Sequence, residues 1–146
     1  YRINFDNPNH KNEIEKVKPL VKKLKDLGYR FASHTFNHIQ VGNVSASTLQ
    51  EDTKKYENEI LPIIGKTNIL SFPCGSFTTN ENKLKILKDA GFNLFLCVGT
   101  SKQEWFYDDC LFLKRHVLDG GTMLKYRKQL LPIIDTTKIY DYSQRT

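Results

Sequence analysis

The sequence predicts an α/β domain in which amphipathic helices alternate with short parallel strands. Helical patterns at residues 12–27 and 80–90 each end at a glycine that is followed by an apolar run. The two junctions read almost alike, LKDLGY and LKDAGF. Helices that carry the chain back to the start of the next strand are crossover connections, which build parallel sheets and barrels. At 146 residues, the chain has the size of one domain, and we expect a single domain over residues 1–146.

The first three elements are a strand, a helix and a second strand. Residues 1–6 alternate and stop at an Asn-Pro-Asn turn. Apolar residues recur at helical spacing through 12–27, and Gly28 suits a left-handed C-terminal cap. Pro19 interrupts this pattern, so it marks either a kink or the true first turn of the helix. Residues 29–33 form a short apolar-rich strand.

A capping-box sequence, STLQ at 47–50, opens the next helix, which Pro62 and Gly65 end. Its residues Leu49, Thr53, Tyr56 and Ile60 share one face. The remaining predictions are strands at 68–72, 92–98 and 111–117, a turn-rich loop at 73–79, and helices at 80–90 and 122–131.

Composition allows a packed core and excludes several classes of protein. Hydrophobic residues make up 39% and aromatic residues 12%, too many for a disordered chain. The net charge is +6, and between residues 11 and 30 seven basic residues face three acidic ones. A solvated lysine-rich helix face explains this excess better than nucleic-acid binding, because no zinc-finger spacing, basic-aromatic sheet motif or arginine-rich helix occurs. No apolar run reaches the roughly 18 residues that a membrane-spanning helix needs.

The loop at 34–43 contains the most unusual motif, two histidines four residues apart after a predicted strand. On a helical turn this spacing brings the rings of His34 and His38 to one side, where they can share a metal ion. A metalloprotease would need Glu directly after the first histidine as its base, and Thr35 stands there instead. The alternative is that both are ordinary polar loop residues.

Two motifs occur in order along the chain, SHTFNH at 33–38 and LSFPCGSF at 70–77. They resemble the second and third motifs of the polysaccharide deacetylases, the NodB-homology group known as carbohydrate esterase family four. The intervening helix and the helix-glycine-strand at 87–99 are similar too. The resemblance covers about residues 12–100.

The resemblance implies a fold, a metal and a reaction. The fold would be a distorted (β/α) barrel, incomplete at its N-terminus. A divalent ion, commonly zinc, would be held by His34, His38 and one aspartate, while a second aspartate acts as general base. Pro73, Cys74 and Gly75 would contact the substrate, and the main-chain N–H of Cys74 would help to hold the oxyanion. The reaction would remove N-acetyl or O-acetyl groups from a carbohydrate polymer in the cell envelope or outside the cell.

The chain also departs from the family pattern. In the family, the aspartate pair lies on a strand well upstream of the histidine motif, and this sequence does not contain that strand. We therefore expect either part of an active enzyme or a catalytically inactive module that binds glycan or a partner protein.

Three further residues have open roles. Cys74 stands where an aromatic residue is usual, and its thiolate could instead join the two histidines as a metal ligand. His116 follows Leu113 by one residue more than in the family, so it either protonates the leaving amine or lies on a strand surface. Trp105 either lines the acetyl pocket or anchors the core. The chain has three cysteines, Cys74, Cys97 and Cys110. Their spacing matches no metal-binding motif such as C-x-x-C and does not predict which of them form disulfides.

Overall fold

The computed structural model describes residues 5–99 and 104–115. Within these ranges, four strands form one sheet in the order β1-β2-β4-β3. The strands are β1 (Ile69–Ser71), β2 (Leu94–Val98), β3 (Glu104–Tyr107) and β4 (Cys110–Arg115). The α-helices are α1 (His10–Asp26), α2 (Ala46–Lys55), α3 (Leu61–Ile64) and α4 (Glu81–Asp89), with a π-helical segment at Tyr56–Ile60 and a 3-10 turn at Pro73–Gly75.

Helix α4 is the crossover connection that the sequence predicts. It joins β1 to β2, which pair in parallel with Leu70 opposite Phe95. Asn80 starts the helix, because its side chain accepts the N–H of Lys83 at 3.2 Å. Leu84 and Leu87 are buried in the hydrophobic core. The mixed α/β class is thus confirmed, whereas closure into a barrel stays a prediction.

Strand β3 is absent from the sequence-based prediction. It pairs antiparallel with β4, and β4 pairs in parallel with β2, so among the described residues the sheet ends in a β3–β4 hairpin. Asp108 and Asp109 form its two-residue turn with φ of 47° and 57°. Left-handed backbone at both central positions is the hairpin geometry that matches strand twist, and Asp tolerates it. The aromatic run before this Asp-Asp pair was the available signal.

The two helix-glycine junctions have the same backbone geometry. Gly28 and Gly91 have φ of 88° and 91°. The N–H of Tyr29 donates to the carbonyl of Leu24, and that of Phe92 donates to Leu87, as in the cap that ends a helix at a left-handed glycine. The first helix therefore ends as predicted, and it contains Pro19 without breaking.

The predicted strand at 29–33 is wrong in extent. Only Ser33 pairs with the sheet, as an isolated parallel bridge to Leu70. Tyr29 is 63% exposed. A strand needs a row of partners, and β1 offers this segment only three residues, which a local sequence pattern does not reveal.

The start of the second helix lies two residues before the predicted capping box. Ser45, not Ser47, is the N-cap residue, and its Oγ accepts the N–H of Thr48 at 3.1 Å. The helical path continues through the π-helical segment into α3 and ends at Gly65, as predicted. Pro62 does not end it, because it lies in the first turn of α3, where its missing N–H costs no hydrogen bond.

The core lies between the sheet and helices α2 and α4, and aromatic rings fill its centre. Phe95 contacts Phe72 at 5.4 Å and Phe112 at 5.0 Å between ring centroids. All three rings are fully buried.

Some predicted elements lie outside the described residues. These are the helix at 122–131, the end of the strand at 111–117, and most of the strand at 1–6, of which residues 5 and 6 form a turn. No described helix is long and apolar enough to cross a membrane.

Candidate functional site

The histidine loop leaves the sheet beside the end of β1. The N–H of Ser33 donates to the carbonyl of Ile69 at 2.9 Å, and the N–H of Ser71 donates to the carbonyl of Ser33 at 2.8 Å. His34 follows directly, and its Nδ1–H donates to the carbonyl of Ser71 at 2.7 Å. A carbonyl can only accept, so this bond places the proton on Nδ1 and leaves the Nε2 lone pair available. A second ring nitrogen fixed in this way is typical of metal-binding histidines.

The rings of His34 and His38 lie together. Their centroids are 4.9 Å apart and their planes are inclined at 71°. Two imidazoles that bind one zinc ion at about 2.0–2.1 Å with tetrahedral angles have centroids about 5 Å apart. Both residues are exposed. The ring separation is therefore compatible with two ligands of one divalent ion, and both side chains are exposed to solvent.

A third protein ligand does not join the pair in the part of the chain that the structure describes. No group of three His, Cys, Asp or Glu side chains there could hold a metal ion. Cys74 is consequently not brought into a ligand set with the two histidines. Its thiol is exposed at the neighbouring turn.

The turn between the histidines has strained backbone. Thr35 and His38 have φ of 60° and 57°, a region that costs a residue with a side chain about 1 kcal/mol or more. Hydrogen bonds from backbone N–H groups to the side-chain oxygens of Ser33 and Thr35 hold the turn. The N–H of Ile39 donates to Thr35 Oγ1 at 3.0 Å, and the N–H of Thr35 reaches Ser33 Oγ at 3.3 Å.

Asp52 supplies the other support, although it is not among the site residues predicted from the sequence. Its Oδ2 accepts the N–H of Phe36 and its Oδ1 accepts the N–H of Asn37, each at 2.8 Å. The residue lies on α2 and is only 3% exposed. A signal was present, since Asp52 falls between Leu49 and Tyr56 on the buried face of the helix, where an apolar residue is expected.

The Pro73–Gly75 turn follows β1 and begins two residues after Ser71, whose carbonyl accepts the His34 ring N–H. Cys74 has φ of 54° and Gly75 has φ of 67°. Within this turn, the N–H of Gly75 donates to Phe72 at 3.3 Å and the N–H of Ser76 donates to Pro73 at 3.0 Å. Those two amides are used internally, so the amide of Cys74 stays the candidate donor to an oxyanion.

The two motif loops are joined by hydrogen bonds. The N–H of Gly42 donates to the carbonyl oxygen and to Oγ of Ser76, each at 3.1 Å. A Cβ on Gly42 would lie 2.7 Å from the carbonyl oxygen of Phe77, so the close approach requires glycine. Lys83 Nζ donates to the carbonyls of Val41 and Gly42 at 2.9 and 3.0 Å.

Trp105 lies on β3 and packs within the core margin. Its ring stacks on Phe112 at 5.1 Å and meets the edge of Phe77 at 5.9 Å. It therefore contacts the residues that follow the Pro73–Gly75 turn, while a role in an acetyl pocket stays a prediction. His116 lies outside the described residues.

Comparison with known proteins identifies the family. A polysaccharide deacetylase family model matches residues 7–95, which include the histidine loop, Asp52 and the Pro73–Gly75 turn. No curated protein and no solved structure gives a significant match to the chain. Because the family model spans more than half of the sequence and both loops of the site, the chain belongs to the polysaccharide deacetylase family.

Proposed function

We propose that this chain removes acetyl groups from a carbohydrate polymer, with His34 and His38 holding a divalent metal ion that we expect to be zinc. N-acetyl groups are the first substrate class and O-acetyl groups the second. The observation that carries the proposal is the pair of exposed rings 4.9 Å apart, one of them oriented by the Ser71 carbonyl.

Each residue of the site has a distinct task in this proposal. The Ser71 carbonyl keeps the proton of His34 on Nδ1, so the lone pair on Nε2 would be available to bind the ion. A divalent ion bound there would polarise the acetyl carbonyl and lower the pKa of a water molecule. The Cys74 N–H would donate to the oxygen on which negative charge develops.

His116 and Trp105 complete the proposal on the leaving-group side. The imidazole of His116 would give a proton to the departing amine, because a histidine changes charge near neutral pH. Trp105 would bound the acetyl pocket with its apolar ring. A carbohydrate polymer outside the cell or in its envelope is the substrate that this family membership favours.

Zinc titration of the chain at neutral pH tests the ligand pair. We expect one equivalent to bind to the parent chain and binding to be lost in His34→Ala and in His38→Ala. His10→Ala is the matched control, because His10 lies on α1 and its Nδ1 is bonded to the carbonyl of Asn7 at 2.8 Å. An unchanged zinc affinity in His34→Ala would exclude this metal site. Cys74→Ser tests the thiolate alternative in the same series.

Acetate release from an N-acetylated glycan oligomer then tests the reaction. Zinc-dependent release that is absent in His38→Ala supports hydrolysis. Binding of zinc and glycan without release would show that this chain by itself binds the polymer without hydrolysing it.

A further inference from the structure

A buried carboxylate lies directly beneath the proposed metal site. Asp52 is 3% exposed and lies on α2 between Leu49 and Tyr56, which belong to the hydrophobic core. In the described ranges it forms no ion pair with a basic residue. A buried charge is retained only where hydrogen bonds compensate its loss of water.

Two backbone amides provide that compensation. Each carboxylate oxygen accepts one N–H at 2.8 Å, one from Phe36 and one from Asn37. Bonds between a charged acceptor and N–H groups are shorter and stronger than neutral ones. Phe36 and Asn37 are two of the three residues between His34 and His38. Asp52 therefore binds the middle of the turn that separates the two rings.

These two hydrogen bonds hold a turn whose backbone angles are unfavourable for residues with a side chain. Thr35 and His38, on either side of the two bonded amides, both have left-handed φ. Released from the carboxylate, this turn could relax toward ordinary backbone angles. His34 would still be held by Ser71, so the change would fall on the distance between the two rings.

We propose that Asp52 is a positioning residue that sets the separation of His34 and His38 through the amides of Phe36 and Asn37. This inference rests on the proposed metal site. Asp52 would not contact the ion itself, because both of its oxygens bond to loop amides. The carboxylate is suited to the task because it is an acceptor at both oxygens. An asparagine of the same shape would turn one NH2 group toward one of the two amides and lose that bond.

Asp52→Asn therefore tests the inference with little change in volume. We expect zinc affinity to fall roughly 10–100-fold, the range found when a partner of a metal-binding histidine is removed. Hydrogen exchange of the Phe36 and Asn37 amides should accelerate in the metal-free chain. The NMR signals of the His34 and His38 rings should shift.

Leu84→Val is the matched control for a general loss of stability. Leu84 is fully buried on α4, and its truncation lowers stability without removing a hydrogen bond from the histidine loop. We expect this variant to bind zinc like the parent chain. Equal loss of affinity in Leu84→Val and Asp52→Asn would mean that Asp52 acts only through stability.

The outcomes separate this inference from the proposed function. If His34→Ala abolishes zinc binding and Asp52→Asn leaves the affinity unchanged, only the role of Asp52 is wrong. If the parent chain binds no zinc, the proposed metal site fails, and the ring signals of the metal-free chain decide whether Asp52 positions the pair. Should Asp52→Asn not fold, Asp52→Ser leaves a single acceptor oxygen on a shorter side chain, and an unchanged zinc affinity there would overturn the inference.

Discussion

In the histidine loop, side-chain oxygens accept the backbone N–H groups that carbonyl oxygens would accept in a helix or strand. Ser33 Oγ, Thr35 Oγ1 and the Asp52 carboxylate together accept four successive or near-successive backbone amides, those of residues 35, 36, 37 and 39. A loop without such partners would leave those amides to water and its side chains free to move. The hydroxyl at position 35 is thus explained by the backbone it supports.

The Cys97 thiol gives the chain a specific sensitivity to alkali. Burial raises its pKa from the usual 9.0 to about 11, although Lys114 and Arg115 act in the opposite direction. The unfolded chain then loses this proton at lower pH than the folded chain. The contribution to stability is complete below pH 9 and is lost as the pH rises through 11, by roughly 2–3 kcal/mol.

Urea unfolding at pH 8, 9, 10 and 11 checks this expectation. The decline of the unfolding free energy above pH 9 should be shallower in Cys97→Ala than in the parent chain. A residual decline is expected in both, because burial also raises the pKa of the Cys110 thiol and the Tyr56 hydroxyl. Parallel curves would show that Cys97 titrates alike in both states.

The site residues differ in how far the sequence predicts them. The spacing of His34 and His38 predicts a pair, and the structure places the rings together. Asp52 is not predicted, because its partners are main-chain amides and its function exists only after α2 has packed under the loop. Spacing patterns detect side chains that act together, not a side chain that holds backbone.

Helix ends are the elements that local sequence determines best. The LKDLGY and LKDAGF junctions both form the predicted cap, since the necessary hydrogen bonds lie within six residues. Strands depend on partners far along the chain, and there the prediction fails. Residues 29–33 were predicted as a strand and supply one bridge, whereas β3 was missed and pairs fully with β4.

The β3–β4 hairpin offers a test at the scale of the element. Asp109 occupies the second central position of its turn with φ of 57°, where glycine is the favoured residue. We expect Asp109→Gly to raise the free energy of unfolding by about 0.5–1 kcal/mol, because left-handed backbone is unstrained in glycine. Asp109 is chosen over Asp108, whose carboxylate lies 3.2 Å from Lys88 Nζ.

Asp109→Ala is the control at the same position, measured by the same urea titration. Alanine tolerates left-handed backbone less well than aspartate, so this variant should be less stable than the parent. Stabilisation by both substitutions would point to removal of charge instead of relief of strain.

One aromatic cluster connects the sheet to the site across the whole molecule. Phe112 contacts Phe95 in the core, Trp105 on β3 and Phe77 beside the Pro73–Gly75 turn. We expect Phe112→Leu to lower the free energy of unfolding by about 1–3 kcal/mol through lost packing. Because Trp105 is the single tryptophan, its fluorescence should shift to longer wavelength as its stacking partner is lost.

Phe106→Leu provides the comparison for that variant. Phe106 lies next to Trp105 on β3 but is 78% exposed. Its replacement should change stability by no more than about 0.5 kcal/mol and leave the fluorescence in place. An effect as large as that of Phe112→Leu would mean that this edge of the sheet is covered in solution.

The sheet places its strands in an order that differs from their order of synthesis. Strand β4 follows β3 along the chain, yet it occupies the position between β2 and β3. In a growing chain, residues 94–98 and 104–107 therefore stay unpaired along one edge until residues 110–115 have been made. Unpaired strand edges promote association between incomplete chains. Until those six residues have emerged from the ribosome, β2 and β3 both keep an unpaired edge at which a nascent chain can self-associate.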